Sequence, residues 1–166
     1  PGDRESLTAL FGRIREALPG VVLRTTILVG FPGETEADFE ELCAFIKELR
    51  FERLGCFAFS SEEGTPAASM PGQIPETVKS RRRDIVMQTQ ERIADAYNQA
   101  QLGKTLDVLV ESFDRYAECW FGRSAADAPD IDGKVFFTTK TCVAPGDLIR
   151  VRITDCLDWD LLGERV

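Results

Sequence analysis

The chain has 166 residues, 43% hydrophobic and 29% charged, with a net charge of −8, which suits one globular domain or two small ones. It contains no histidine, which excludes Ser-His-Asp and Cys-His catalysis and histidine-ligated zinc. No apolar run approaches the roughly 20 residues needed to cross a bilayer, and no basic leader precedes an apolar stretch, so a cytoplasmic protein with no membrane contact is expected.

Residues 4–18 carry Leu7, Leu10, Phe11, Ile14 and Leu18 at spacings of three and four, one apolar helical stripe that Pro19-Gly20 ends. A chain that begins at Pro1 and is already in a helical pattern is expected to be a piece of something longer. Val21 to Gly30 is short and rich in β-branched residues, a buried strand. Phe31-Pro32-Gly33-Glu34 makes a turn, and Thr35 with Asp38 three residues on forms a capping box. Phe39, Leu42, Cys43, Ile46 and Leu49 continue as an amphipathic helix, and Arg53 to Ser60 is a second strand.

Strand, turn, helix and strand make a βαβ unit with parallel strands. The bulky faces, Thr25, Ile27 and Val29 on the first strand and Phe57 and Phe59 on the second, are expected under the helices. The small faces (Thr26, Leu28, Gly30; Cys56, Ala58, Ser60) are expected to form a barrel wall. Two strands cannot close a barrel, so further strands are expected upstream or from another chain. An unpaired strand edge also predicts a non-native dimer of the isolated fragment.

Residues 61–75 form a loop punctuated by Gly and Pro. Residues 76–101 read as one long helix, with Val78, Ile85, Thr89, Ile93, Ala96 and Ala100 on one face and Arg82 as the polar exception. Lys79, Arg81, Arg82 and Arg83 are expected to be a solvated charge run, with a contact to substrate or to a further domain as the alternative. Gly103 stops the helix. Leu106–Ser112, Ala117–Ser124, Gly133–Thr139, Leu148–Asp155 and Asp158–Val166 then read as five short strands, a small OB-like antiparallel β-barrel. The fold class is therefore α/β plus all-β, with a barrel segment over residues 1–102 and a second domain over 103–166.

Each side of Ala100 carries a net charge of −4. Phosphate neutralisation favours basic proteins, so nucleic acid is the less expected partner and a basic surface the more expected one. Cys43, Cys56, Cys119, Cys142 and Cys156 show no CxxC spacing, and reduced, mostly buried thiols are expected. The best local candidate for chemistry is Gly30 to Thr35, at the C-terminal end of a parallel strand and the start of a helix. Its two glycines admit a ligand to the backbone, and the helix N–H groups can receive a polar group.

Thr25 to Thr35, followed by Phe57-Ala58-Phe59-Ser60-Ser61-Glu62-Glu63-Gly64-Thr65-Pro66-Ala67, resembles the late strands of radical-SAM methylthiotransferases. Gln101-Leu102-Gly103-Lys104 is similar to the entrance of their TRAM domains. Gly122-Arg123-Ser124, Asp127-Ala128-Pro129-Asp130-Ile131-Asp132-Gly133 and Asp158 to Glu164 resemble the RimO-type branch, which modifies a ribosomal protein, more than the transfer-RNA-modifying, MiaB-like branch. The family's strand of form GxIxGxxE ends against the adenine of S-adenosylmethionine. Thr26, Leu28, Gly30 and Glu34 match it with a Thr for the first Gly, a Leu for Ile and one extra residue before Glu. The resemblance therefore implies nearness of Gly30 and Glu34 to the cofactor, without implying a hydrogen bond from either.

It further implies a full-length enzyme with S-adenosylmethionine and two 4Fe-4S clusters, one on a CxxxCxxC motif. That enzyme places a methylthio group on the β-carbon of an aspartate in small-subunit ribosomal protein S-twelve. The CxxxCxxC motif is not in this chain, so the fragment alone is expected to hold no cluster and to be inactive. Asp127, Asp130, Asp132 and Arg123 are the expected contacts to the basic protein substrate, by electrostatic steering. The acids are expected to be solvent-exposed. The alternatives are an RNA-binding TRAM domain of the MiaB-like kind and a stand-alone protein-interaction module.

Overall fold

The structure is a computed structural model and describes residues 3–166; Pro1 and Gly2, the first residues of the expected barrel segment, lie outside the described residues. The chain divides into two compact units, one ending at Ile93 and the other running Ala94–Val166.

In the first unit, α1 (Arg4–Ala17) is capped by Asp3, whose carboxylate accepts from the Ser6 amide at 2.8 Å. That bond holds the Asp3 pKa below its ordinary value. Of the predicted stripe, Phe11 and Ile14 pack on the core, while Leu10 and Leu18 are exposed. Arg15 donates to the carbonyls of Leu49 and Arg50 and pairs with Glu52 at 3.0 Å, placing a cation where the last carbonyls of the next helix concentrate negative charge.

The βαβ unit consists of β1 (Arg24–Val29), α2 (Glu36–Leu49) and β2 (Arg53–Ala58). The strands pair in parallel from Arg24↔Arg53 to Val29↔Ala58. Thr35 and Asp38 form the full capping box at the start of α2. Among the described residues this sheet has only these two strands. On β1 the predicted face is correct, with Val29 fully buried. Within β2 it is inverted, although Phe59, just past the end of the strand, is buried as expected. Leu54 and Cys56 enter the core, whereas Phe57 is 63% exposed opposite the 50% exposed Leu28. The layer above β2 is already filled by Phe39, Ile46, Phe51 and Val86, so a cysteine-sized side chain fits there and a phenylalanine does not.

After a loop with one 3₁₀ turn (Pro66–Ser69) comes α3 (Glu76–Gln99). The expected solvated run does not hold. Lys79 and Arg82 are buried, at 7% and 5% exposure, and only Arg81 and Arg83 face solvent. The buried face runs Lys79, Arg82, Val86, Gln90, Ile93, while the predicted Ala96 and Ala100 are exposed. Its polar members are bonded to backbone: Lys79 to the Phe59 carbonyl, Arg82 to that of Glu34 and Gln90 to that of Phe51.

In the second unit, β3 (Thr105–Asp114), β4 (Cys119–Ser124), β5 (Val135–Thr138), β6 (Leu148–Leu157) and β7 (Asp160–Arg165) close a barrel in the order β3-β4-β5-β7-β6. The barrel is mixed rather than wholly antiparallel, because β5 and β7 run parallel. A closed ring of five strands cannot alternate direction throughout, so one pair must be parallel. Val108, Val110, Val135, Phe137, Ile149, Val151, Ile153 and Leu161 fill the interior, by the period-two alternation of each strand. Gly122 and Gly133 sit so close to the Leu109 and Trp159 carbonyls that a Cβ would overlap them. Asn98, at the end of α3, donates to the Asp158 carbonyl at 3.4 Å.

Replacing Phe137 by Ala is expected to cost about 3–5 kcal/mol, since its ring is enclosed by the barrel. Phe57→Ala is expected to stay within about 0.5 kcal/mol. Urea unfolding of both variants checks the inner and outer assignments together.

Candidate functional site

The turn between β1 and α2 is built from three local constraints. Gly30 and Gly33 adopt φ of 77° and 89°, values that a side chain disfavours. The Gly33 amide donates to the Gly72 carbonyl at 3.0 Å, tying the turn to the loop before α3. Glu34 then closes the turn on itself, accepting from the Gly30 amide at 3.0 Å. Its other carboxylate oxygen accepts from Arg82 at 2.6 Å. Both oxygens of Glu34 are thus engaged inside the protein, and its side chain is 14% exposed.

Arg82 was read from sequence as a polar exception on an apolar stripe and as part of a solvated charge run, yet it sits at the centre of this arrangement. It donates to Glu34 and, at 2.9 Å, to Glu36, and its guanidinium lies 5.2 Å from the Phe39 ring centre. Burial opposes its charge, but the bonds to Glu36 and Glu34 outweigh burial and raise its pKa. Lys79 packs its methylene groups where a Gly30 side chain would lie and donates to the Phe59 carbonyl at 2.8 Å. The sequence signals for these residues were the position of Arg82 in the stripe and the basic cluster that contains both.

Several amides of the turn and of the α2 N-terminus are already engaged within the protein. Thr35 N–H donates to Asp38, Asp38 N–H to Thr35 and Glu34 N–H to the Phe31 carbonyl. What the turn offers instead is backbone with small or apolar neighbours. Phe31 is 39% exposed, stacked edge-on to Phe59 at 5.2 Å, and Leu28 and Phe57 share the sheet face away from the helices. A flat, partly apolar ring fits such a surface, so the residues are compatible with the adenosyl part of S-adenosylmethionine.

The acidic segment of the second unit is a self-bonded loop. Asp127 accepts from the Ser124 hydroxyl at 2.6 Å and the Ser124 amide at 3.2 Å, and Asp132 accepts from the Ala128 amide at 2.6 Å. Both are half-buried, which corrects the expectation that all three acids are exposed. Asp130 alone of the three is exposed, with φ of 58°, beside Ile131 at 76% exposure. The structure therefore separates roles: Asp127 and Asp132 shape the loop, and Asp130 and Ile131 are presented at its tip. Arg123, on β4, pairs with Glu111 of β3.

Among the described residues no group of three or more His, Cys, Asp or Glu side chains comes together as a metal site, so these residues do not fit a 4Fe-4S cluster. Cys56 is pushed up to about 11, mainly by burial, and burial likewise raises Cys43, Cys119 and Cys156, which disfavours the thiolate that metals require. No helix among the described residues is long and apolar enough to cross a membrane.

Asp127→Ala is expected to cost about 1–2 kcal/mol through loss of its hydrogen bonds to Ser124, while Asp130→Ala is expected to change stability by less than about 0.5 kcal/mol. Thermal unfolding of the two variants distinguishes them.

Comparison with known proteins follows the same division. The TRAM domain profile matches residues 102–166. The chain is 48% identical, over 99% of its length, to the ribosomal protein uS12 methylthiotransferase RimO of Pelotomaculum thermopropionicum, and covers 37% of that protein. It is 47% identical over 99% of its length to the same enzyme of Anaeromyxobacter sp. strain K, covering 35% of it. With that of Clostridium acetobutylicum it shares 44% identity over 91% of its length, covering 34%. The chain thus spans little more than a third of the relatives it matches. The similarity to the RimO-type ribosomal protein methylthiotransferases thus runs across both units, and the second unit is a TRAM domain.

Proposed function

We propose that the chain is part of a cytoplasmic enzyme that methylthiolates the β-carbon of an aspartate in small-subunit ribosomal protein S-twelve. In this reading the first unit lies against S-adenosylmethionine and the TRAM domain receives the protein substrate. The observation that carries it is the Gly30–Glu34 turn: glycine-rich backbone at the C-terminal end of a parallel strand, bordered by exposed Leu28 and Phe31. Barrel enzymes place their chemistry at that end of their strands, and relatives of this chain are named for methylthio transfer to uS12.

Gly30 and Phe31 would hold the adenine, Leu28 and Phe31 would exclude water from it, and Glu34 would fix the turn without touching the cofactor. When bound and reduced, S-adenosylmethionine supplies the radical that starts the reaction. The two 4Fe-4S clusters are assigned to parts of the full-length enzyme outside this chain, and the fragment alone is inactive. The open outer edges of the two-stranded sheet favour a non-native dimer when the segment is isolated.

The substrate surface is the tip of the acidic loop, Asp130 with Ile131, on a domain of net negative charge. Arg123 lies on the adjoining strand and sets the edge of this surface through its pair with Glu111. An acid beside an exposed aliphatic side chain suits a basic protein segment better than a phosphate backbone.

The test is titration of this chain with the isolated basic ribosomal protein and, separately, with a transfer-RNA anticodon stem. The protein is expected to bind more tightly, with affinity falling as salt rises. Asp130→Lys combined with Ile131→Ala is expected to weaken that binding about tenfold, or about 1.4 kcal/mol, with unchanged thermal stability. Preference for the RNA would instead support the transfer-RNA branch, and protein binding indifferent to the double change would remove the loop from the interface.

A further inference from the structure

Arg82 and Lys79 occupy an unusual place for cations. Their side chains are 7% and 9% exposed, on the helix face that elsewhere carries Val86 and Ile93. A helix that only needed to cover the sheet would bury apolar residues there, because a charge taken from water costs free energy unless its donors are engaged. Here all of those donors but the Arg82 Nε find partners, most of them at the ends of the two strands. Arg82 bonds the Glu34 carboxylate at 2.6 Å and the Glu34 carbonyl at 3.3 Å. The second Glu34 oxygen holds the Gly30 amide. Lys79 bonds the Phe59 carbonyl, Phe59 N–H donates to the Val29 carbonyl at 2.8 Å, and the Phe59 ring abuts Phe31. These links converge on Val29, Gly30 and Phe31, while Arg82 also pairs with Glu36 and Lys79 with Glu76 on their exposed sides.

We propose that Arg82 and Lys79 are positioning residues that hold the cofactor-facing turn in its binding geometry, Arg82 acting through Glu34 and Lys79 through Gly30 and Phe59. This rests on the reading that the turn faces S-adenosylmethionine. The physical reason for such an arrangement is entropic. A turn with two glycines at positive φ has many alternative conformations, and each must be given up when a ligand binds. A carboxylate fixed by a buried guanidinium restricts the Gly30 amide beforehand, with two good acceptors for a planar, rigid donor set. Lys79 blocks the space on one side of Gly30 with methylene groups, so the backbone cannot shift that way.

The experiment uses the full-length holoprotein, with S-adenosylmethionine as the probe. Its dissociation constant is measured for the unaltered protein, Arg82→Gln, Glu34→Gln, the double variant and Val86→Ala. Amide exchange of residues 28–34 is followed with and without the probe. In the unaltered protein the probe is expected to slow exchange in this segment. Arg82→Gln is expected to raise the dissociation constant at least about tenfold and to speed exchange of the segment without the probe. The double variant is expected to be no worse than the poorer single one, because the two residues act as one unit. Val86→Ala removes a fully buried methyl pair from the same helix and is expected to lower thermal stability while leaving the dissociation constant unchanged.

Should Arg82→Gln not fold, Arg82→Lys carries the test. It keeps the charge, and since one ammonium cannot reproduce the planar fork to Glu34 and Glu36, a several-fold loss of affinity is still expected. An unchanged dissociation constant in a folded Arg82 variant, or losses that simply add in the double variant, would overturn the positioning role alone. Absence of protection by the probe in the unaltered protein would overturn the placement of the cofactor as well.

Discussion

The first unit depends on two buried cations. A two-stranded parallel sheet with one covering layer has little apolar surface with which to define its strand ends, and those ends carry the unsatisfied backbone groups. Arg82 and Lys79 supply donors to the Glu34 and Phe59 carbonyls, and Gln90, two turns further along α3, supplies one to Phe51. The same helix thus provides van der Waals cover through Val86 and Ile93 and hydrogen-bond closure through its polar residues. The combination fixes the side chains around Gly30 more tightly than cover alone would.

The second unit obeys a different constraint, that of closing an odd number of strands. The parallel β5–β7 contact follows from the count of five, and the bulges at Val110/Ser112 and Ile153/Asp155 bend β3 and β6 around the ring. Glycines at 122, 133 and 163 let neighbouring backbones approach. The connection between β4 and β5 then leaves the barrel as the acidic loop, where Asp127 and Asp132 spend their charge on amide and hydroxyl donors of the loop itself. An acidic sequence is therefore not the same as an acidic surface: of the three aspartates, Asp130 is the one that the loop exposes.

Periodicity and punctuation made most of the elements legible. The capping box at Thr35 and Asp38, the βαβ order and the five short strands were all readable, because each depends on residues near in sequence. Three features were not. The face of β2 was inverted because side-chain size along one strand says nothing about what the opposite layer already fills. The buried side of α3 was misjudged because Lys79, Arg82 and Gln90 count as surface residues until their backbone partners, 20 to 48 residues away, are known. The loop acids were read as three equivalent charges, although hydrogen bonding over three or four residues had already assigned two of them. At the candidate site, Gly30 and Glu34 were singled out by their resemblance to a family motif. The turn carries one residue more than the motif's usual spacing, and in it the Glu34 carboxylate accepts from the Gly30 amide.

The central claim is that the Gly30–Glu34 turn, held from behind by α3, forms one wall of the S-adenosylmethionine site. A crystal structure of the full-length holoprotein with S-adenosylmethionine tests it most directly. The account predicts the adenine ring in van der Waals contact with Gly30 and Phe31, with Glu34 still bonded to Arg82 and the Gly30 amide rather than to the ligand. A cofactor bound elsewhere with this turn left in solvent, or Glu34 turned away from Arg82 to bond the ligand itself, would contradict it.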